Sequence, residues 1–527
     1  MGRLLTCIML ASQIPFSAHA QTVYVNPCLE ADVGAGNGTL AAPYSSLSNA
    51  LSVAPPGSTL VVEAGTYPET PTLQKNLTIN TSQGQALLGH AVSTQKICQL
   101  TGEKDLFSPG QQYTINRTET NYGLAGVDLG ASFEHNGRIY FLFGDTISSV
   151  GFSDDNGNRP VDGDSIAWVA TDADPEQCLQ SAAPPPTSIT PLTFLTAPDK
   201  RYLSPRVQHG SNIIPRSGFD VPAAGFSANG NLYAFFTTDS DPNQIAPCLH
   251  ETMGRSVLAR LDDESQNRFT YLYDVSCRPG IACAVPNPGL CNFSTASPSG
   301  SAGYFINVSP VIVNNADVPG LPDIADPAGK GLLLWGSGQY RCSNVYLAYV
   351  PLNSIESSTR LSWRYAVIDT AGQVHWSGCE ADAIPLLNQA PCIGEFSVAW
   401  NPFLHKWLML YNCPNAIYYR VADQPWGPWS DQLTLFDPRC DHGYCHLIHS
   451  PHCCDFQAAD CAAGKAKDNL VGDADRTAGP YGPYVISSLT KGDATSTTIY
   501  WLMSTWNPYE VVLMKSTLQL DCACRAY

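Results

Sequence analysis

The most regular pattern in the chain is an alternation of apolar and polar positions on either side of Asn136-Gly137, in GVDLGASFEHNGRIYFLFGD from Gly126 to Asp145. A period of two marks strands with one buried face. Asn-Gly between two such runs predicts a two-residue type I′ turn, because both residues tolerate positive φ. The turn sets His135 opposite Arg138. Equal steps outward pair Phe133 with Tyr140, Ala131 with Leu142 and Asp128 with Asp145. Opposed Cβ atoms of an antiparallel pair lie about 4.5 to 5.5 Å apart, so the expected hairpin carries two carboxylates on one rim. Like charges so close destabilise a fold unless cations neutralise them or their pKa values separate.

Similar strand patterns recur to the end of the chain. Runs beginning at Asp128 (DLGASF), Val221 (VPAAGF), Ser309 (SPVIVN), Glu395 (EFSVAW) and Gly482 (GPYVIS) fall at intervals of 93, 88, 86 and 87 residues. Each start is followed by further apolar runs, for example KWLMLYN, AIYYRVA and QLTLFD after Glu395. Four strands per repeat is the blade of a β-propeller. The reading is therefore an all-β chain: a five-bladed β-propeller over 112–527 with a small β-rich appendage over 21–95. The last repeat lacks a clear fourth strand, which predicts that a strand before Asp128, at 112–116, closes the ring.

The stretch APYSSLSNALSVAPPGSTLVVEAGTY within the appendage resembles the capping helix and first coil of secreted right-handed parallel β-helix proteins, a family that includes many polysaccharide lyases. A β-helix needs roughly three stacked repeats to bury a core, and one or two coils fit here. A small accessory cap is the preferred reading over a lyase module.

Composition narrows the setting. The 42 glycines and 40 prolines suit a turn-rich all-β chain. Residues 1–20, MGRLLTCIMLASQIPFSAHA, have the basic start, apolar run and Ala-His-Ala end of a secretory signal, and no later run of 18 apolar residues follows. The expected product is a secreted, extracellular monomer. Of 19 cysteines, Cys7 leaves with the signal, and the remaining even number without repeated C-x-x-C pairs suits disulfides. Asn37, Asn76, Asn80, Asn116, Asn292 and Asn307 each open an N-x-Ser/Thr triplet, the acceptor pattern of a glycoprotein. A net charge of −18 disfavours nucleic acid, anionic membranes and polyanionic glycans as partners.

GVDLGASFEHNGRIYFLFGDT, together with LLLWGSGQYRCSNVYLAYVPL, GEFSVAWNPFLHKWLMLYN and STWNPYEVVLMKS, resembles the secreted five-bladed propeller family long labelled a domain of unknown function, some members of which are endo-D-arabinanases. The architecture is also similar to that of other five-bladed furanosidases and fructosidases, which carry carboxylates at inner-strand ends around a central pocket. The resemblance implies hydrolysis of a furanoside-containing, arabinan-like polysaccharide or oligosaccharide, with Asp128 and Asp145 at the positions of the acidic pair.

Glycoside hydrolysis needs a proton donor for the leaving oxygen and a second carboxylate that activates water or attacks the sugar. Asp128 is assigned as general base and Asp145 as general acid, with inversion expected. Glu395 occupies in the fourth repeat the place of Asp128 in the first, so it is a modulator, a substrate ligand or an alternative acid. Strand-end capping or calcium ligation is the competing role for the Asp pair. Gln339, Tyr340, Arg341, Trp506 and Tyr509 border the pocket as substrate-binding candidates, with a core role as the alternative for the aromatics.

No metal site and no cofactor are assigned. His442, His446, His449 and His452 lie among four cysteines in CDHGYCHLIHSPHCCDF, but match no common zinc spacing, so a disulfide-pinned loop is expected. Asp154, Asp155, Asn156, Asn158, Asp162 and Asp164 offer oxygens for a structural calcium but lack the EF-hand pattern, and a solvated loop is the default. A lectin-like propeller that binds glycans without cutting them is the rival from another class, and a polysaccharide lyase is a third reading.

Overall fold

A computed structural model describes residues 20–26, 36–44, 46–67, 73–88, 92–105, 107–108, 111–149, 163–181, 191–198, 201–209, 212–213, 221–240, 253–279, 281, 301–359, 361–388, 392–441, 443–451, 476–493 and 496–519. Residues 1–19 of the signal, Asn292, His442, His452 and the acids from Asp154 to Asp162 lie outside them. Two compact units divide the chain, Met1–Ala91 and Val92–Tyr527.

In the first unit, Thr22–Val25, Thr59–Tyr67 and Thr78–Leu88 form a parallel three-stranded sheet. Its only described helix, Leu47–Val53, is capped by the Ser46 side chain, which accepts from the Asn49 amide; a hydroxyl there satisfies one of the orphan N–H groups of the first turn. Leu47 and Ala50 pack with Val23, Leu60 and Val62 in a core of this unit's own.

The second unit is a five-bladed β-propeller. The five inner strands are Leu124–His135, Val221–Ala228, Asn307–Asn314, Phe396–Asn401 and Pro480–Val485, each overlapping or adjoining one of the five spaced motifs. Each opens a separate sheet of four to six strands, antiparallel except where Arg206–His209 pairs parallel with Arg268–Cys277 in the second blade. Each inner strand contacts the next around the ring, and the last contacts the first.

Closure comes from the N-terminal side, but not from 112–116. Val92–Gln99 pairs antiparallel with Glu510–Gln519 as the outer strand of the fifth blade, whereas Tyr113 makes only an isolated bridge to Lys104. The closing strand VSTQKICQ is polar because an outermost strand buries little of itself: Ser93 and Gln95 are exposed. A disulfide from Cys98 to Cys178 ties it to the chain that follows the first blade's third strand. Cys392–Cys413 is a second described disulfide.

Apolar faces of adjacent blades form the core. Phe141 and Phe143 of the first blade pack with Leu502 and Leu513 of the fifth. Trp335 of the third meets Trp407 of the fourth, ring centroids 5.2 Å apart, and its indole N–H reaches the Pro425 carbonyl at 3.1 Å. Aromatic side chains bury on the order of 150–250 Å² each, so at about 25 cal/mol per Å² each contributes several kcal/mol. Asn116 and Asn307 belong to this interior and not to a glycosylated surface: both are buried, and their side chains bond to backbone. No described helix is long and apolar enough to cross a membrane.

Candidate active site

The hairpin forms with the register set by its turn. Asn136 and Gly137 have φ of 49° and 76°, and His135 faces Arg138, Phe133 faces Tyr140 and Ala131 faces Leu142. Equal stepping then fails. Leu129 pairs with Phe143 and Val127 with Thr146, with a register shift on each side of Leu129. Asp128 is therefore not the cross-strand partner of Asp145.

The cause is local. Leu129 and Gly130 adopt φ of 62° and 113°, and the Leu129 amide leaves the ladder to donate to Ser504 Oγ at 2.7 Å. A Cβ on Gly130 would lie 2.6 Å from Leu502 Cδ1, so this position requires glycine on two counts. A non-glycine residue at positive φ costs on the order of 1–3 kcal/mol and persists only where its surroundings impose it. Bulges of this kind re-aim side chains, and here the bulge turns Asp128 into the space between the first and fifth blades.

Asp128 is buried, and its Oδ2 accepts hydrogen bonds from Tyr481 at 2.8 Å and Tyr509 at 3.0 Å. Its Oδ1 is buried with no hydrogen-bond partner among the described residues. Burial pushes the carboxyl well above its usual range, the Asp145 charge adds to the rise, the two phenols oppose it, and Glu395 raises it further. Asp145 is only half-buried. The electrostatic coupling of Asp128 to both acids places the three carboxylates in one field.

Glu395 immediately precedes the fourth inner strand and is buried. Tyr340 donates to its Oε1 at 2.5 Å, and Arg341 Nη2 lies 3.3 and 3.4 Å from its two oxygens. Burial disfavours the Arg341 cation, but Glu395 and the neighbouring phenols outweigh that, so it stays charged. Arg341 also lies over the Tyr340 and Tyr481 rings, at 4.7 and 5.4 Å.

Of the sequence-derived candidates, Asp128, Tyr509, Glu395, Tyr340 and Arg341 thus share one network, and Asp145 couples to it. Gln339 is separated from them: it lines a different cleft, described below. Trp506 packs against the apolar cluster that contains Tyr481 and Tyr484, with Arg476 over its ring at 5.3 Å.

Tyr481 and Tyr484 were not among the candidates. Tyr481 bridges Asp128 and Arg341. Tyr484 is buried with no partner for its hydroxyl among the described residues, and burial, then Glu395 and Asp128, drives its pKa well up. The signal for both was the repeat itself, since they flank Gly482, the fifth strand start. Tyr484 also lines a cavity of about 570 Å³ walled by residues of all five inner strands, including Ala131–Glu134 and Phe396–Trp400.

Among the described residues, no group of three His, Cys, Asp or Glu could hold a metal ion. Cys440 and Cys445 are disulfide-bonded, and the His449 backbone joins Asn507 and Ala478.

Residues 322–515 match the family described as "Domain of unknown function (DUF4185)". No curated protein matches the chain. Solved structures similar to it include an α-L-arabinofuranosidase from Podospora anserina in complex with cellotriose, at 11% identity over 80% of this chain and 96% of that one, TM-score 0.35. The catalytic domain of a GH62 α-L-arabinofuranosidase from Coprinopsis cinerea matches at 10% identity over 75% and 91%, TM-score 0.33. A GH43 β-xylosidase/α-arabinofuranosidase from a compost microbial metagenome matches at 10% over 72% and 85%, TM-score 0.30.

Proposed function

We propose that the chain is a secreted glycoside hydrolase whose propeller, from the closing strand onward, is the catalytic unit. The observation that carries this reading is Asp128: a buried carboxyl with a raised pKa, one oxygen held by two phenols and the other without a hydrogen-bond partner among the described residues, in the field of two further acids. Such an environment favours the protonated carboxylic acid, the form a glycosidic proton donor needs. Asp128 therefore takes the role of general acid, delivering its proton to the leaving oxygen. Asp145, less enclosed, takes the base role and activates water, the inverting route. This exchanges the two roles expected from the sequence, for a physical reason: the bulge at Leu129–Gly130 buries Asp128 more deeply than Asp145.

Glu395, fixed by Arg341 and Tyr340, orients sugar hydroxyls beside the oxocarbenium-like transition state. Tyr484 supplies a hydroxyl whose lack of a partner among the described residues fits it to receive or position a ligand oxygen. The net charge of −18 favours a neutral glycan over a polyanionic one, and the arabinan-like, endo-D-arabinanase-like substrate implied by the sequence motifs meets that condition. Incubation with arabinans, arabinogalactans and other neutral wall glycans, followed by analysis of new reducing ends, tests the reading. New reducing ends support it; binding without cleavage supports the lectin-like rival, and unsaturated ultraviolet-absorbing products support a lyase.

A further inference from the structure

The loop that holds Glu395 has a second flank. Tyr340 and Arg341 turn toward the acid, whereas Gln339, one residue earlier, lines a separate cleft of about 410 Å³ with Arg278, Tyr304, Asn344 and Tyr346. A volume of that order lies within the range of about 300–1,000 Å³ common for small-ligand sites. Two features distinguish it from a gap between blades. The Tyr304 and Tyr346 rings are parallel to within 2°, centroids 4.1 Å apart, and both stay half-buried and not sealed in the core. Arg278 and Gln339 bring planar polar groups to the same wall.

The cleft is also firmly built. The Gly338 amide donates to Ser343 Oγ at 2.8 Å, and Cys342 N–H to the Gln339 carbonyl at 3.0 Å. The Asn344 amide bonds the Leu387 carbonyl at 2.7 Å, and Ser343 bridges to Ile393, two residues before Glu395. Burial pushes the Tyr346 phenol up to about 12, with Tyr304 adding to the rise and Arg278 opposing it. Both phenols remain neutral hydroxyls able to donate and accept.

An aromatic surface with planar donors and acceptors at its edge suits the apolar face and ring hydroxyls of a sugar. We infer that this cleft is a distal sugar subsite, filled by a unit of the same polysaccharide that lies across the acid centre, with the Gln339–Arg341 loop as the wall between them. The inference rests on the glycosidase reading and deepens it: an enzyme that grips the chain away from the scissile bond acts within chains and gains from length. Binding energy from remote units is then used at the reacting centre.

The test compares wild type with Tyr304→Ala/Tyr346→Ala and with Gln339→Ala on end-labelled arabinofuranose oligomers from dimer to octamer, with thermal melting to verify folding. The expected result is a loss of about tenfold to a hundredfold in kcat/KM on the octamer, on the order of 1.4–2.8 kcal/mol, with the dimer and trimer unchanged. Equal losses at every length, or none, overturn the subsite while leaving the acids in place. If wild type cleaves no oligomer, the reading of the acids fails, and calorimetric titration of the octamer then decides the cleft alone: weaker binding by a folded Gln339→Ala variant supports it, and binding equal to wild type overturns it.

Discussion

Tyr509 and Asp128 are 381 positions apart in the chain, yet the Tyr509 phenol donates to Asp128 Oδ2 at 3.0 Å. Tyr509 holds a φ of 74°, and its carbonyl accepts from the Val127 amide at 3.0 Å. Backbone and side chain of the fifth blade thus fix the acid of the first. The phenol favours the ionised form of Asp128 and partly offsets its burial. Tyr509→Phe and Tyr481→Phe are each expected to raise the Asp128 pKa further, moving the alkaline limb of the kcat/KM profile to higher pH. A pH–rate series measures this; a limb that stays or moves down counts against Asp128 as the acid.

Asp128 is also a stability determinant. Its folded pKa stands above the unfolded value of 3.8, so the native state binds the extra proton between those two values. Wild-type stability is complete below the unfolded pKa and falls as pH rises toward the folded one. Asp128→Asn removes that loss. Its melting temperature is expected to exceed that of wild type at pH 7, with the gap closing toward pH 3, and calorimetry across that range checks the sign.

Much of this was legible in the sequence because the period-two alternation and the Asn-Gly turn are local. The five inner strands and the inner part of the hairpin register follow from them. The relation of Asp128 to Asp145 did not, because the Leu129–Gly130 bulge is imposed by Ser504 and Leu502, which arrive from the other end of the chain. The closing strand was missed for a related reason: VSTQKICQ pairs along one edge and is exposed on one face, so its composition reads as a linker. Tyr481 and Tyr484 were hidden among aromatics that look like core.

Arg341 compensates the buried Glu395. Arg341→Met is expected to cost about 1–2 kcal/mol, less than the 3–5 kcal/mol typical of breaking a fully buried pair, because the Arg341 side chain is 40% exposed. Adding Glu395→Gln to that variant should restore most of the loss. Denaturant unfolding of the single and double variants measures the coupling.

Tyr484 separates stability from function. Removing a buried hydroxyl with no partner among the described residues relieves a desolvation cost, so Tyr484→Phe is expected to be neutral or stabilising by about 1 kcal/mol. If the hydroxyl meets the sugar, kcat/KM falls about tenfold in the same variant. Melting and steady-state kinetics on one preparation check both.

The most direct measurement is the rate of reducing-end release from one arabinan by wild type, Asp128→Asn and Asp145→Asn at the wild-type pH optimum. General acid–base groups contribute about 10²- to 10⁴-fold, so each variant is expected to lose at least about a hundredfold while remaining folded. Wild-type rates in both variants would contradict the assignment of Asp128 and Asp145 as the acid and base.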